Sequence, residues 1–230
     1  MIITAIHGQN HKGSTYNIAS LLISSLGDNE VHEFFLPRDL DHFCTGCYRC
    51  IKDESECPFF KDKDRIMRSV LQSDLLIFTT PTYCLRASAP MKSFLDLTFS
   101  YWISHRPRKA MFSKKAVVIS TAAGAGAKTA GKDITTALFY MGIPYIKTYC
   151  KAIQASCWDE VKPDRKEKIR NDMERLAGKI KSSKIRVGIR TRFFFSMMRM
   201  LQIKDMAAGE YDKRYWEEQG WLGKKRPWKV

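Results

Sequence analysis

The sequence predicts an α/β chain built on a doubly wound parallel sheet, and three observations carry that prediction. Five apolar, β-rich runs are bounded by turn residues, and the stretches between them have helical spacing. Strand and helix alternate five times, which requires crossover connections and hence parallel strands covered on both faces. The chain has 230 residues, 44% of them hydrophobic, enough to bury one substantial core.

The first run, Ile2 to Ile6, follows Met1 with no basic segment and no cleavage-like site, so it reads as a strand and not as a leader. Ser14 to Leu26 places Ile18, Leu21, Leu22 and either Ser25 or Leu26 along one helical face, and Gly27 supplies a stop. Val31 to Leu36 is the second strand, followed by a helix over Asp64 to Gln72. Leu75 to Thr80 is the third strand, followed by a helix over Ala89 to Trp102. Ala116 to Ser120 and Tyr145 to Tyr149 complete the sheet, with Lys128 to Met141 as the helix between them. Pro163 opens a charged helix from about Asp164 to Lys181. These elements divide the chain into a sheet domain over residues 1–182 and a basic, aromatic extension over 183–230.

Charge is unevenly distributed. Residues 1–150 hold 18 Lys and Arg against 13 Asp and Glu, whereas 151–230 hold 21 against 11, so most of the net +15 lies in the last third. Such a surface attracts anions of many kinds, and no recognition fold accompanies it, which disfavours nucleic acid as a partner. The longest uninterrupted apolar runs, such as Leu75 to Phe78, fall far short of the roughly 20 residues that cross a bilayer. A cytoplasmic, reducing compartment is the expectation, and seven cysteines there are not a disulfide framework.

In doubly wound sheets ligands bind outside the carboxyl ends of the strands, near the reversal of strand order. The first strand leads into His7-Gly8-Gln9-Asn10-His11-Lys12-Gly13-Ser14-Thr15, a polar loop opening a helix whose amides and hydroxyls can hold a phosphate. It lacks both the Gly-x-Gly-x-x-Gly spacing and the Walker pattern. The third strand leads into Pro81-Thr82-Tyr83-Cys84-Leu85 and on to Asp96. The fourth leads into Thr121-Ala122-Ala123-Gly124-Ala125-Gly126-Ala127, small enough for backbone to approach a flat ring.

Residues 1 to about 180 resemble the flavodoxin-like NAD(P)H-dependent FMN reductases, particularly the branch called iron-sulfur flavoproteins. The signatures are the phosphate loop at Gly8 to Thr15, the Pro-x-Tyr loop followed by a Lys-x-Phe-x-Asp helix at Pro81 to Asp96, and a cysteine cluster. The resemblance implies a flavodoxin-like three-layer α/β/α sandwich with strand order 2-1-3-4-5, and FMN as cofactor. It implies phosphate contacts on Gln9, His11, Ser14 and Thr15, and ring contacts on Pro81, Thr82, Tyr83, Cys84, Leu85 and on Thr121, Ala122, Ala123, Gly124 and Gly126. The sequence departs from the family pattern at His11, where Arg is usual, and at Leu85-Arg86, where small residues are usual.

The cysteine cluster is Cys44-x2-Cys47-x2-Cys50-x6-Cys57, followed by Pro58. Three closely spaced thiolates with a fourth nearby is how compact [4Fe-4S] sites are built, and the bacterial ferredoxin run shares the opening spacing. Metal-free structural or redox thiols, and zinc, stay open beside it. The motif follows the second strand, on the same sheet edge as the other loops. Cys84 belongs with the ring contacts, and Cys150 and Cys157 read as packing residues. Asp62 and Asp64 read as caps of the following helix.

No histidine pairing of a hydrolytic metal site and no Gly-x-Ser-x-Gly elbow is present. The resulting expectation is an oxidoreductase in which NAD(P)H reduces FMN, and electrons pass, with or without a [4Fe-4S] cluster, to a quinone, a flavin or another small acceptor. No side chain is required as acid or base, while Arg86 or Lys92 would tune the flavin potential. A homodimer or homotetramer is expected. The rival is an electron-transfer or redox-sensing module that docks a redox protein partner. Arg186 to Ile203 mixes Arg with Phe and Met; packing against a partner subunit or over the cofactor is favoured there over contact with an anionic membrane surface. Tyr215 to Leu222 reads as an aromatic anchor.

Overall fold

The computed structural model describes residues 1–207 and 209–229. Period-two alternation in the apolar runs builds the sheet from β1 (Ile2–His7), β2 (Glu30–Phe35), β3 (Leu75–Tyr83), β4 (Arg86–Ala87), β5 (Lys115–Ala122) and β6 (Tyr145–Ala152). Five strands run parallel in the order β2-β1-β3-β5-β6. Setting aside the two-residue β4, this is the expected 2-1-3-4-5 order. β4 is an addition: it turns back on the end of β3 as an antiparallel hairpin, pairing Thr82 with Ala87 and Tyr83 with Arg86.

Successive side chains on a strand face opposite ways, so the sheet is buried on both sides. Ile3, Ala5, Leu75, Ile77, Val117 and Ile119 face α1 (Ser14–Leu26) and, later in the chain, α6 (Pro163–Ser182), which supply Ile18, Leu22, Ile169, Met173 and Ile180. Ile6, Leu76, Phe78, Ala116 and Val118 face the opposite layer. That layer follows the short α2 (Arg49–Lys52) and consists of α3 (Phe60–Gln72), α4 (Ala89–Leu97) and α5 (Ala127–Tyr140).

Two helix boundaries differ by more than one residue from the sequence expectation. α3 starts at Phe60 and not at Asp64, so neither aspartate caps it: Asp62 lies in the first turn, 3.6 Å from the His42 ring, and Asp64 pairs with Arg68 at 2.9 Å. α4 ends at Leu97 because the Thr98 hydroxyl donates to the carbonyls of Phe94 and Leu95 and competes with helix continuation. A 3₁₀ turn over Phe99–Tyr101 replaces the rest of the predicted helix, leaving Trp102 beyond it.

The extension folds back onto the body through α7 (Ile189–Ile203) and α8 (Glu210–Glu218). Phe195, Trp216 and Trp221 from the extension and Ile103 and Phe112 from the body form a third apolar cluster. The Trp216 indole donates to the His105 carbonyl at 2.6 Å and the Tyr215 hydroxyl to the Pro107 carbonyl at 2.7 Å. The aromatic anchor is therefore a buried joint. No helix among the described residues is long and apolar enough to cross a membrane.

Trp216 is fully buried, so Trp216→Ala combines a large cavity with an orphaned carbonyl and should cost about 3–5 kcal/mol. Chemical denaturation should show that loss, and limited proteolysis should show earlier cleavage in the extension than in residues 1–182.

Candidate functional site

The loop after β1 is fixed by backbone approach. The Gly8 amide donates to the Thr79 carbonyl at 2.7 Å, and the Ser88 hydroxyl donates to the Gly8 carbonyl at 2.6 Å. A Cβ on Gly8 would stand 2.7 Å from the Ser88 Oγ and 2.9 Å from the Thr79 oxygen, so no larger residue fits without displacement. The loop delivers the chain to α1, whose N-cap, Gly13, makes no side-chain capping bond. The first amides of α1 are therefore left without a side-chain cap beside the buried Ser14 and Thr15, with the exposed Lys12 adjacent. Gln9 reaches across the edge to the Tyr83 hydroxyl at 3.3 Å, and His11 is exposed.

Below the loop, His7 is buried between the Thr79 hydroxyl and the Glu33 carboxylate, each 3.0 Å from a ring nitrogen, and it stacks on Phe35. The hydrogen bond from His7 holds the Glu33 carboxyl below the usual range, against the opposing effect of burial.

After β3, Cys84 and Leu85 form a two-residue turn with φ of 48° and 62°. Both central residues thus sit in the left-handed region of a type I′ turn, which ordinarily takes Asn or Gly. The turn pushes Tyr83, Cys84 and Leu85 into solvent. Arg86 is held away from this edge by a bidentate pair with Asp133 of α5, at 3.1 and 2.6 Å, and Lys92 pairs with Asp96. Both cations named from sequence as tuning the flavin are thus exposed and each paired with a carboxylate.

The loop after β5 meets this turn directly. Gly126 has φ 91°, and a Cβ there would lie 2.9 Å from both Leu85 and Thr82; the Thr82 and Ser120 hydroxyls lie 3.3 Å apart. Thr121 and Ala122 are buried under the edge, while Ala123 and Gly124 are exposed. The phosphate residues and ring residues named from sequence thus converge as one open shelf at the carboxyl ends of β1, β3 and β5, astride the reversal between β1 and β3. An uncapped helix N-terminus, a glycine cradle and exposed apolar groups at Tyr83 and Leu85 fit a phosphate-bearing flat ring.

The four clustered cysteines occupy a separate place. Cys44, Cys47, Cys50 and Cys57 all line one cavity of about 390 Å³, closed by Phe59, Leu97, Phe99 and Trp102. Gly46 and Tyr48 turn the loop through left-handed backbone, at φ 66° and 57°. None of the shelf residues lines this cavity. Among the described residues, no three His, Cys, Asp or Glu side chains converge as a ready site for a single ion.

Charges around the cavity are unequal. The Arg49 amide, helped by Thr45 and the Arg49 charge, holds the exposed Cys47 thiol below its ordinary range. Burial pushes the Cys50 thiol up, partly offset by Lys63. Lys63 itself is fully buried, and its ammonium has no hydrogen-bond partner among the described residues. Its charge reaches Cys50 and Glu54 and it lies 5.9 Å from the Tyr101 ring; a buried ammonium without a hydrogen bond is costly, and a thiolate-ligated cluster at Cys50 would add compensating negative charge. The donor set and the orphaned ammonium fit an iron-sulfur cluster.

Behind the thiol loop, outside the cavity lining, are polar pairs that sequence reasoning missed. Glu54 accepts from the Ser100 hydroxyl at 2.7 Å and from Arg108 at 2.6 Å. Its burial would raise the carboxyl, but Arg108 and Ser100 hold it below the usual range. Arg106 donates to the Cys50 carbonyl and lies 3.3 Å from Asp212 of α8, which also accepts from His105 at 2.8 Å. A signal for Lys63 was present: it precedes Ile66, Met67 and Val70 at helical spacing and so stands on the buried stripe of α3. Of the other thiols, Cys150 is half-buried and pushed up by burial, whereas Cys157 is exposed and not a packing residue.

Comparison with known proteins agrees with this geometry. The family model described as NADPH-dependent FMN reductase matches residues 1–156, about two-thirds of the chain. An iron-sulfur flavoprotein of Archaeoglobus fulgidus is 36% identical over 78 residues, 34% of each chain. Another, of Methanocaldococcus jannaschii, is 28% identical over 92 residues, 40% of this chain and 44% of that one. The chain thus matches less than half the length of these curated relatives. The fold is shared with an NAD(P)H:quinone oxidoreductase from Methanothermobacter marburgensis, at TM-score 0.60 and 12% identity, over 80% of this chain and 98% of that one.

The thiol environments predict an order of reaction. In metal-free protein, Cys47 should be alkylated with a pH midpoint below that of an ordinary thiol, and Cys50 with a midpoint above it. Residue-resolved mass spectrometry across a pH series would read both midpoints; the reverse order would contradict the charges assigned to the loop.

Proposed function

Starting from the NADPH-dependent FMN reductase family, to which this chain belongs, we propose that the protein is an FMN-dependent NAD(P)H oxidoreductase of the iron-sulfur flavoprotein type. The single observation that carries the reading is the convergence of three loops at the carboxyl edge, where Gly8 and Gly126 leave no room for a Cβ. Ser14, Thr15 and the free amides of α1 would hold the FMN phosphate, with Gln9 and His11 beside them. Pro81 to Leu85 and Thr121 to Gly126 would border the ring. FMN, when bound, supplies the hydride and single-electron chemistry, leaving binding, orientation and potential to the protein.

The shelf is open to solvent at Tyr83, Cys84 and Leu85, which suits the successive approach of a nicotinamide donor and a small acceptor such as a quinone or a free flavin. Cys44, Cys47, Cys50 and Cys57 would hold a [4Fe-4S] cluster, with the buried Lys63 supplying positive charge near Cys50. The names of two curated relatives support this finer reading. Because the thiol cavity shares no lining residue with the shelf, a homodimer or homotetramer that brings one protomer's cavity to the other's shelf is part of the proposal. So is a two-part organisation, residues 1–182 carrying the cofactors and 183–230 bracing them.

Freshly purified anaerobic protein should show a flavin spectrum, and iron and acid-labile sulfide near four each per chain, as a cubane requires. Cys47→Ser should lose iron and sulfide while keeping FMN. Replacing Ser14 and Thr15 together with Ala should weaken FMN, by about tenfold or more if each hydroxyl contributes about 1 kcal/mol, and should leave iron unchanged. Steady NAD(P)H oxidation with a quinone would support the enzyme. Failure to bind added FMN would defeat the whole reading, and reduction only by a protein donor would favour an electron carrier.

A further inference from the structure

The extension presents a surface that the flavin reading does not use. Between Ser183 and Lys204 there are six Lys or Arg and no Asp or Glu. α7 buries Thr191, Phe195 and Gln202 against the body. At 3.6 residues per turn, the opposite side carries Ile189, Phe193, Met200 and Ile203 within a stripe roughly 80° wide. All four are exposed, Ile189 at 84% and Phe193 at 70%. Arg192 and Lys204 flank the stripe on its two sides. Ser196 is the small polar residue within it.

A second feature adjoins the start of α7. A cavity of about 680 Å³ opens between the body and the C-terminal segment, walled by Phe112, Val187 and Trp228. Lys109, Arg186, Arg192 and Lys229 line it, and among the described residues no Asp or Glu does. Among the described residues, none of these four cations is paired with a side-chain carboxylate, unlike Arg86, Arg106 and Arg108. Arg199, the one basic residue of α7 on the inner side, is spent on the carbonyls of Trp221 and Leu222. Arg192 belongs both to the cavity lining and to the flank of the stripe, so the two features form one face.

Apolar side chains standing out of a field of unpaired cations call for a partner that is apolar and anionic together. A second copy of this chain fits poorly, because the face would meet its own positive charge. We propose that this face docks on an anionic lipid bilayer. α7 lies parallel to the membrane plane over about 22 Å, Ile189, Phe193, Met200 and Ile203 enter the acyl boundary, and the basic cavity takes a lipid phosphate. The proposal does not depend on the flavin or the cysteine cluster.

The test is cosedimentation of the full chain with phosphatidylcholine vesicles, with and without phosphatidylglycerol. Binding is expected only with phosphatidylglycerol, and should weaken as salt rises from about 0.1 M to about 1 M, which shortens the screening length from roughly 10 Å to 3 Å. The double variant Ile189→Glu with Phe193→Glu should bind at least about tenfold more weakly, given the burial each side chain contributes. Arg192→Glu gives an independent reading from the cavity side should the double variant unfold. Equal binding to neutral vesicles, or no binding to either kind, would overturn the proposal. So would a wild-type dimer that the double variant splits into monomers, which would make a second copy the occupant.

Discussion

The approach of Gly8 to the end of β3 is the constraint from which the candidate site is built. Its amide and carbonyl are both committed, to the Thr79 carbonyl and the Ser88 hydroxyl, and Ser88 is tied in turn by its amide to the Thr80 hydroxyl at 2.9 Å. The first loop, the third strand and the start of α4 therefore move as one piece. The hairpin of β4 follows from this: with Ser88 fixed beside Gly8, the seven residues from Pro81 to Ala87 must leave the sheet and return. They do so through a turn tight enough to require left-handed backbone at Cys84 and Leu85. Strained backbone of that kind persists only where its surroundings over-determine it, and here Asp133 does so by gripping both the Arg86 side chain and the Ala87 amide.

A second constraint joins the extension to the thiol cavity. Asp212, on α8, is fully buried and faces His105 and Arg106, and Arg106 reaches the Cys50 carbonyl. Arg108 lies over the rings of both Tyr101 and Tyr215 while pairing with Glu54. Buried ion pairs add little net stability over apolar packing, and their clearer effect is to penalise any arrangement that separates the partners. The extension thus holds the floor of a loop that is otherwise short on regular structure. Its two halves act differently: α8 faces inward with buried charge, and α7 turns an unpaired charged side outward.

Much of this was legible in the sequence because alternation and helical spacing are local. The five long strands, α1, α5 and α6 fall where apolar periodicity places them, and the strand order followed from resemblance. What was not legible depends on distant partners. The break at Thr98 arises from a hydroxyl competing for carbonyls that a helical pattern would also satisfy. The hairpin at Cys84-Leu85 lacks the Asn-Gly chemistry that announces such turns, since tertiary contacts impose it. Arg86 looked free because its carboxylate, Asp133, belongs to a helix whose facing is fixed only by packing, whereas Lys92 and Asp96 are four residues apart on α4, a pair that helical spacing alone announces. Lys63 was hidden by a different error: starting α3 four residues late removed it from the stripe on which it stands.

The pairing pattern of cations explains why net charge alone pointed nowhere. Along the carboxyl edge and around the thiols, Arg86, Arg106 and Arg108 are each matched by a carboxylate of low exposure, so the local field there is shaped by Lys63 and by backbone dipoles more than by the total of +15. Over the first part of the extension the matching stops, and it resumes only at Asp205, which pairs with Lys213. Residues 183–204 offer no acid to their own six basic groups, and folding brings Lys109 and Lys229 to the same cavity. Like charges gathered on a concave face destabilise the isolated chain by mutual repulsion. The apolar stripe beside them adds a hydration cost of its own. The two costs sit on one face, and a single anionic, apolar partner would relieve both.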